Sequence, residues 1–177
     1  MKEWFEKCYL KSQNSSIVYK DITENPPHKI LGLTLHEYQN SLDKFRSEYY
    51  LILKPIKEVN LWFQKYGHVY HHIVLTSVPL KYSHLSAQWI FKNFGTWIRS
   101  FNIVPTKRLG LEAPQYHRSK MEFLNWFGKG DLLIDDNVKN IEDFRLKNLT
   151  TLLFPRPWNN SKLSIRETLE KINDILI

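Results

Sequence analysis

Cysteine is all but missing from this chain. Cys8 is the single one, so no internal disulfide framework exists, and a reducing, cytoplasmic setting is the expectation. Glycine is sparse, with six residues. No glycine-rich phosphate loop can be assembled from them, which argues against a P-loop kinase. No apolar run approaches the ~18 residues of a bilayer-spanning helix. The opening Met1-Lys2-Glu3-Trp4-Phe5-Glu6-Lys7 has no apolar signal-peptide core. No Cys/His spacing suits a zinc site. Internal repeats and low-complexity tracts are absent.

What is present is enough apolar material for one core. The 177 residues are 42% hydrophobic, a size and composition expected of a single domain, residues 1–177. The net charge is +7 and unevenly spread. From Lys54 to Lys120 ten Lys/Arg face only Glu58 and Glu112, and five of the seven histidines lie there too. Such a block favours a phosphorylated small molecule, for example a nucleotide, or nucleic acid as partner. Each lysine taken singly is as well explained as a solvated surface residue.

Short apolar runs alternate with helix signals. Ser15-Ser16-Ile17-Val18-Tyr19-Lys20-Asp21 reads as a first strand ending in an acid. Pro26-Pro27 then blocks helix continuation. Thr34 and Glu37 form a capping box that opens a helix toward Tyr49. Pro55 introduces a second helix, ended by Gly67. Tyr70–Thr76 reads as strand two and Ser83–Phe94 as a helix closed by Gly95. Strand three lies within Trp97–Val104, and a helix follows over Lys120–Trp126. Asp131–Ile134 is strand four, then comes a short helix near Val138–Phe144. Leu149–Phe154 is strand five, and a second capping box, Ser164 with Glu167, starts the last helix. Alternation of this kind predicts an α/β fold with a parallel five-stranded sheet. Residues 23–54 interrupt the rhythm as a small helical cap.

Polar residues cluster where strands should end, which is where open α/β sheets bind ligands. Strand one ends at Asp21, with Thr23 beyond it. Strand two ends at Thr76-Ser77. Strand four, Leu132-Leu133-Ile134, runs into Asp135-Asp136. Paired carboxylates suit Mg2+, which prefers carboxylate and water oxygens. They suit a turn with an Asp136 or Asn137 helix cap equally well. Lys120 lies on the helix leading into strand four. His71-His72 alternate faces in a strand and are not expected to chelate one metal together.

This set resembles the haloacid dehalogenase-like hydrolases, specifically their small-capped 5'(3')-deoxyribonucleotidase-like members, over roughly Ile17 to Asn159. The resemblance rests on Ile73-Val74-Leu75-Thr76-Ser77, on Lys120 and on Leu132-Leu133-Ile134-Asp135-Asp136. It implies a Rossmann-like core and a Mg2+-dependent phosphohydrolase. Asp21 would be the nucleophile that forms an aspartyl-phosphate. Mg2+ would be held by Asp21, the Thr23 carbonyl and Asp135 or Asp136. Thr76 and Lys120 would bind and neutralise the phosphoryl group, and Asn140 would help to orient the strand-four loop. Ser77, Lys107 and Arg108 would contact substrate. The first motif departs from the family: Asp21-Ile22-Thr23 has threonine where the phosphatases carry a second acid. Threonine is a poor general acid or base at neutral pH, leaving Glu24 and His28 as nearby proton carriers. Three readings stay open: a nucleotidase-like phosphohydrolase, a degenerate binding or regulatory module, and a polynucleotide-end phosphatase.

Overall fold

A computed structural model describes residues 1–12, 16–106, 108 and 114–176. Three consecutive helical pieces, Lys2–Trp4, Phe5–Tyr9 and Leu10–Ser12, open the chain. The longer helices are α1 (Leu35–Tyr49), α2 (Lys57–Tyr66), α3 (Ser83–Phe94), α4 (Lys120–Phe127), α5 (Val138–Arg145) and α6 (Ile165–Leu176). The strands are β1 (His72–Thr76), β2 (Ile98–Ile103), β3 (Leu132–Asp135) and β4 (Thr150–Leu153).

Local chemistry accounts for the helix ends. Thr34 Oγ1 accepts the Glu37 N–H at 3.2 Å, while Glu37 accepts the Thr34 N–H at 2.8 Å. Ser164 and Glu167 repeat the pattern before α6, at 3.2 and 2.7 Å. Each box satisfies two of the N–H groups that a helix start leaves unpaired. Gly67 and Gly95 close α2 and α3, and Gly128 closes α4 with φ +82, a left-handed conformation that suits glycine.

The strands form two separate parallel pairs. In β1–β2 the register sets Val74 opposite Phe101 and Thr76 opposite Ile103. In β3–β4 it sets Ile134 opposite Leu152 and Asp135 opposite Leu153. Parallel pairing needs a crossover, supplied by α3 in the first pair and α5 in the second. The expected five-stranded parallel sheet is therefore not formed by the described residues, which give two two-stranded sheets.

The missing member is the strand expected over Ser15–Asp21. Ser15 lies outside the described residues, and Tyr19–Asp21 is a 3-10 turn. The Asp21 carboxylate accepts the Val18 N–H at 3.0 Å, and the Asp21 N–H donates to the Val18 carbonyl at 2.9 Å. A short acidic side chain competes for its own backbone and draws the chain out of ladder geometry. Only Ile17, Val18 and Tyr19 favour a strand here, too few to resist that turn.

Two apolar clusters hold the elements. The first joins Trp4, Phe5, Tyr9, Ile22, Leu31, Tyr38 and Phe45, with Trp158 packed against it. It ties the N-terminal helices and α1 to the segment after β4. The second joins Trp62 of α2 to Leu152 of β4 and to Leu169 and Ile172 of α6, with Tyr70 and Leu132 alongside. Trp62 stacks on Tyr70 at 6.0 Å and meets the His72 ring edge-on at 5.9 Å. So α2 packs at the amino ends of β1 and β3, and α6 packs on β4. Among the described residues, no helix is long and apolar enough to cross a membrane.

Candidate functional site

The best-built polar cluster is at the carboxyl end of β3. Asp135 closes that strand, and its backbone still belongs to the ladder, since its carbonyl accepts the Phe154 N–H at 2.8 Å. Its side chain is 4% exposed. One carboxylate oxygen accepts the Asn137 N–H at 2.8 Å. The other accepts from Lys120 Nζ at 2.6 Å and from Asn140 Nδ2 at 3.0 Å. A buried carboxylate is tolerable when a cation and several donors satisfy it. Asn137 also caps α5 through the Lys139 N–H at 2.9 Å, which sets Asn140 on the first turn facing Asp135. Lys120 is aimed by the start of α4, where Ser119 accepts the Glu122 N–H at 3.1 Å.

Asp136 follows, half-buried. Burial, and next the Asp135 charge, push its carboxyl pKa upward, against weaker opposition from Arg156 and Lys120. Arg156 Nε lies 4.0 Å from it. Asn159 locks the loop after β3 to the loop after β4: its Nδ2 donates to the Asp136 carbonyl at 2.9 Å and to the Phe154 carbonyl at 2.7 Å. Its Oδ1 accepts the Arg156 N–H at 3.1 Å.

Among the described residues, the other expected ones make no hydrogen bond to this cluster. Thr76 closes β1, its carbonyl accepting the Val104 N–H at 2.9 Å. Among the described residues, no hydrogen bond links Thr76 or Ser77 to Asp135, Asp136 or Lys120. Asp21 is exposed, its carboxylate engaged with Val18. Its turn nevertheless borders the β4 side, because Tyr19 meets the Trp158 ring edge-on at 6.4 Å. Thr23 is exposed. Glu24 accepts the Ile30 N–H at 3.2 Å, and His28 Nδ1 contacts the Pro26 carbonyl at 3.3 Å, so both serve their own loop. Lys107 lies outside the described residues. Arg108 is turned toward α1, with Nε 3.3 Å from Asp43, which also binds Arg46. Burial pushes the nearby Tyr38 hydroxyl up to about 12.

Arg156, Asn159, Asp43 and Arg46 were not singled out by the sequence reading, and Arg108 was expected at substrate rather than in an ion pair with Asp43. Only Asn159 had a local signal: Pro155-Arg156-Pro157-Trp158-Asn159 directly follows a strand, where a polar side chain can bind freed backbone groups.

A cation could be held here by Asp136 with Asp135 behind it. Among the described residues no group of three or more His, Cys, Asp or Glu surrounds such a position. Mg2+ commonly uses one or two carboxylates plus waters and a phosphate, so the pair fits in number. Burial, and after it the Asp135 charge, raise the Asp136 pKa, and a bound cation would offset both. No family model matches this chain, and neither does any curated protein or solved structure.

Proposed function

We propose that this protein is a Mg2+-dependent phosphohydrolase acting on a nucleotide or another small phosphate ester. The observation that carries the reading is the buried Lys120–Asp135–Asn140 cluster beside Asp136 at a strand end. A fixed ammonium adjoining paired carboxylates is an arrangement suited to an anionic ester and its counter-cation. Mg2+, when bound, would polarise the phosphoryl oxygens and screen them from carboxylates. Lys120 would neutralise phosphate charge, held in place by Asp135. Asn140 and the Asn137 N–H would keep Asp135 oriented. Thr76 and Ser77 supply hydroxyls for a phosphoryl oxygen, and Asp21 is the candidate nucleophile. The resemblance of these motifs to the haloacid dehalogenase-like hydrolases adds to the reading.

The test is hydrolysis of nucleoside monophosphates and p-nitrophenyl phosphate with Mg2+. Lys120→Met and Asp21→Asn should each abolish it. Thr23→Asp should speed turnover by up to ~10²–10⁴-fold, the range of general acid–base catalysis. Activity that survives Asp21→Asn rules out Asp21 attack.

One observation favours a second reading. The Asp21 carboxylate is bound to its own turn rather than to Lys120. A chain whose candidate nucleophile stays there would be a binding or regulatory module for the same ligands. It would bind Mg2+ and phosphate esters without turnover in wild type and Thr23→Asp alike.

A further inference from the structure

The basic block of the sequence takes a definite place in the fold. From Lys54 to Thr106 the chain carries six Lys/Arg and one acid, Glu58. Helix α3 lies in the middle of this stretch and is two-faced. Ser86 and Phe94 are buried on one side. Lys81 in the 3-10 turn before the helix, then His84, Gln88 and Lys92, are exposed. Spacings of three, four and four residues put these side chains on one helical face. The segment after α1 runs beside the same helix: Trp89 Nε1 donates to the Leu53 carbonyl at 2.7 Å, and Lys92 Nζ to the Leu51 carbonyl at 3.4 Å. The next residue, the exposed Lys54, therefore flanks that face. Neither α3 nor residues 50–54 contain an acid. Helix α1 packs on the Leu80–Tyr82 turn, and its exposed Glu48 is 3.9 Å from Lys44. Among the described residues, Lys54, Lys81 and Lys92 pair with no carboxylate.

A cationic face without acids fits a polyanion, and its layout selects which one. Lys81 and Lys92 are eleven positions apart, roughly 16 Å along the axis, with His84 and Gln88 between them. The major groove of B-DNA is about 12 Å wide and admits an α-helix. Lysines at the two ends of such a helix reach phosphates, while the polar side chains between them meet base edges. An anionic membrane would need a continuous apolar strip. The exposed apolar residues on this face, Leu80 and Phe91, are instead at its opposite ends. Single strands are held on stacked aromatic rings, and Phe91 is the one exposed aromatic residue of α3. We infer that the exposed face of α3 binds duplex DNA through the major groove, with Lys54, Lys81 and Lys92 on phosphates and His84 and Gln88 toward base edges. The inference stands apart from the phosphohydrolase reading. None of these residues belongs to the Asp135 cluster, and the test reads binding rather than turnover.

The experiment is fluorescence anisotropy of a labelled twenty-base-pair DNA duplex titrated with the intact chain, at salt from about 0.05 to 0.2 M. The duplex should bind with a Kd of roughly 10⁻⁶–10⁻⁴ M at physiological salt, the range of sequence-independent binding. Three phosphate contacts predict that log affinity falls with log salt at a slope of about −2.7, each contact supplying about 0.9. Lys54→Gln, Lys81→Gln and Lys92→Gln should each reduce the slope by about 0.9, and the triple variant should bind at least about tenfold more weakly. Gln88→Ala should weaken binding and leave the slope unchanged. Lys171→Gln, an equal loss of charge at an exposed position of α6, should change neither. Duplex RNA of the same sequence should bind at least about tenfold more weakly, because side chains cannot read its deep, narrow major groove. Equal effects of Lys171→Gln and Lys81→Gln would mean diffuse attraction to net charge and would overturn the inference. Duplex RNA or single-stranded DNA bound as tightly as duplex DNA would overturn it too. So would attachment to phosphatidylserine vesicles without duplex binding, or no duplex binding in the lowest salt. The salt and RNA series use wild-type protein, so the inference stays testable if a variant does not fold.

Discussion

The carboxyl ends of β3 and β1 look alike in sequence and differ in construction. At the end of β3, both oxygens of Asp135 are occupied, Asn137 and Asn140 hold them, and Asn159 ties in the next loop. At the end of β1, the Thr76 and Ser77 hydroxyls are left without a bonded partner among the described residues, and Ile73 stays exposed just before them. One end is pre-organised by its own neighbours. The other has the right residue types and nothing to hold them. A polar strand end becomes a site only when the following turn and helix are built to satisfy it, and Asn137-Val138-Lys139-Asn140 does this where Val78-Pro79-Leu80 cannot.

The largest effect should come from breaking the built end. Lys120→Met leaves Asp135 buried beside no cation, and loss of one partner of a buried pair typically costs about 3–5 kcal/mol. Urea denaturation of this variant, and of Lys120→Met combined with Asp135→Asn, separates the two contributions. The double variant should recover part of the loss, because asparagine removes the charge and keeps an acceptor. A single variant as stable as wild type would mean that the pair is solvated and the contrast between the ends unfounded.

Asn159→Ala comes next. It leaves two carbonyls and the Arg156 N–H short of a partner in a buried loop, at about 1–3 kcal/mol for each group that water cannot reach. Thermal unfolding measures it. The variant should also loosen Asp136, seen as faster amide exchange at Asn137.

Asp136→Asn should move stability the other way. The folded-state pKa of Asp136 is raised by burial and by Asp135. Between the unfolded and folded pKa values the native state binds more protons, so this group's contribution is complete below the unfolded pKa. It is lost as pH rises through the folded value. At neutral pH the ionised carboxylate is a burden, and asparagine removes it. Denaturant midpoints at pH 7 and at pH 3.5 decide: the variant should be the more stable at pH 7, with the gap closing at pH 3.5.

The smallest effects belong to β1. Thr76→Val should change stability by less than about 0.5 kcal/mol, as for residues outside any bonded network, while weakening phosphate-ester binding if the proposed function holds. At the other end of the strand, burial lowers the His72 pKa from 6.5. A depressed histidine stabilises above its unfolded pKa and loses that contribution as pH falls below it, because the unfolded chain takes up the proton first. His72→Phe should flatten the fall in stability as pH drops below 6.5, read by guanidinium titration at several pH values.

Much of the local structure was legible in the residues. Thr34 with Glu37, and Ser164 with Glu167, announced two helices, and Gly67 and Gly95 announced two ends. The Lys120–Asp135 relationship was legible as a lysine ahead of an acid-ended strand, although not that the two would touch. Asn140 was expected only to orient the strand-four loop, and the turn after β3 brings its amide to the Asp135 carboxylate. The pairing of Asp43 with Arg108 could not be found from the sequence, since 65 positions separate them and no local pattern links them.

By itself, the sequence determined the longer helices, where they stop, and which short apolar runs can be strands. Caps, glycines and β-branched runs act over a few residues, so their physics is written locally. Tertiary structure decided which strands pair and which polar ends are satisfied. Ile17–Asp21 shows why. Its β-prone residues favoured a strand, but a strand is stable only with ladder partners, and the nearest acceptor for the Val18 N–H was the Asp21 carboxylate three residues on. A bond that closes such a short loop costs little chain entropy. Pairing with β1 or β3 would have had to close a loop of more than about fifty residues first, and its return had to come from contacts that no single segment contains.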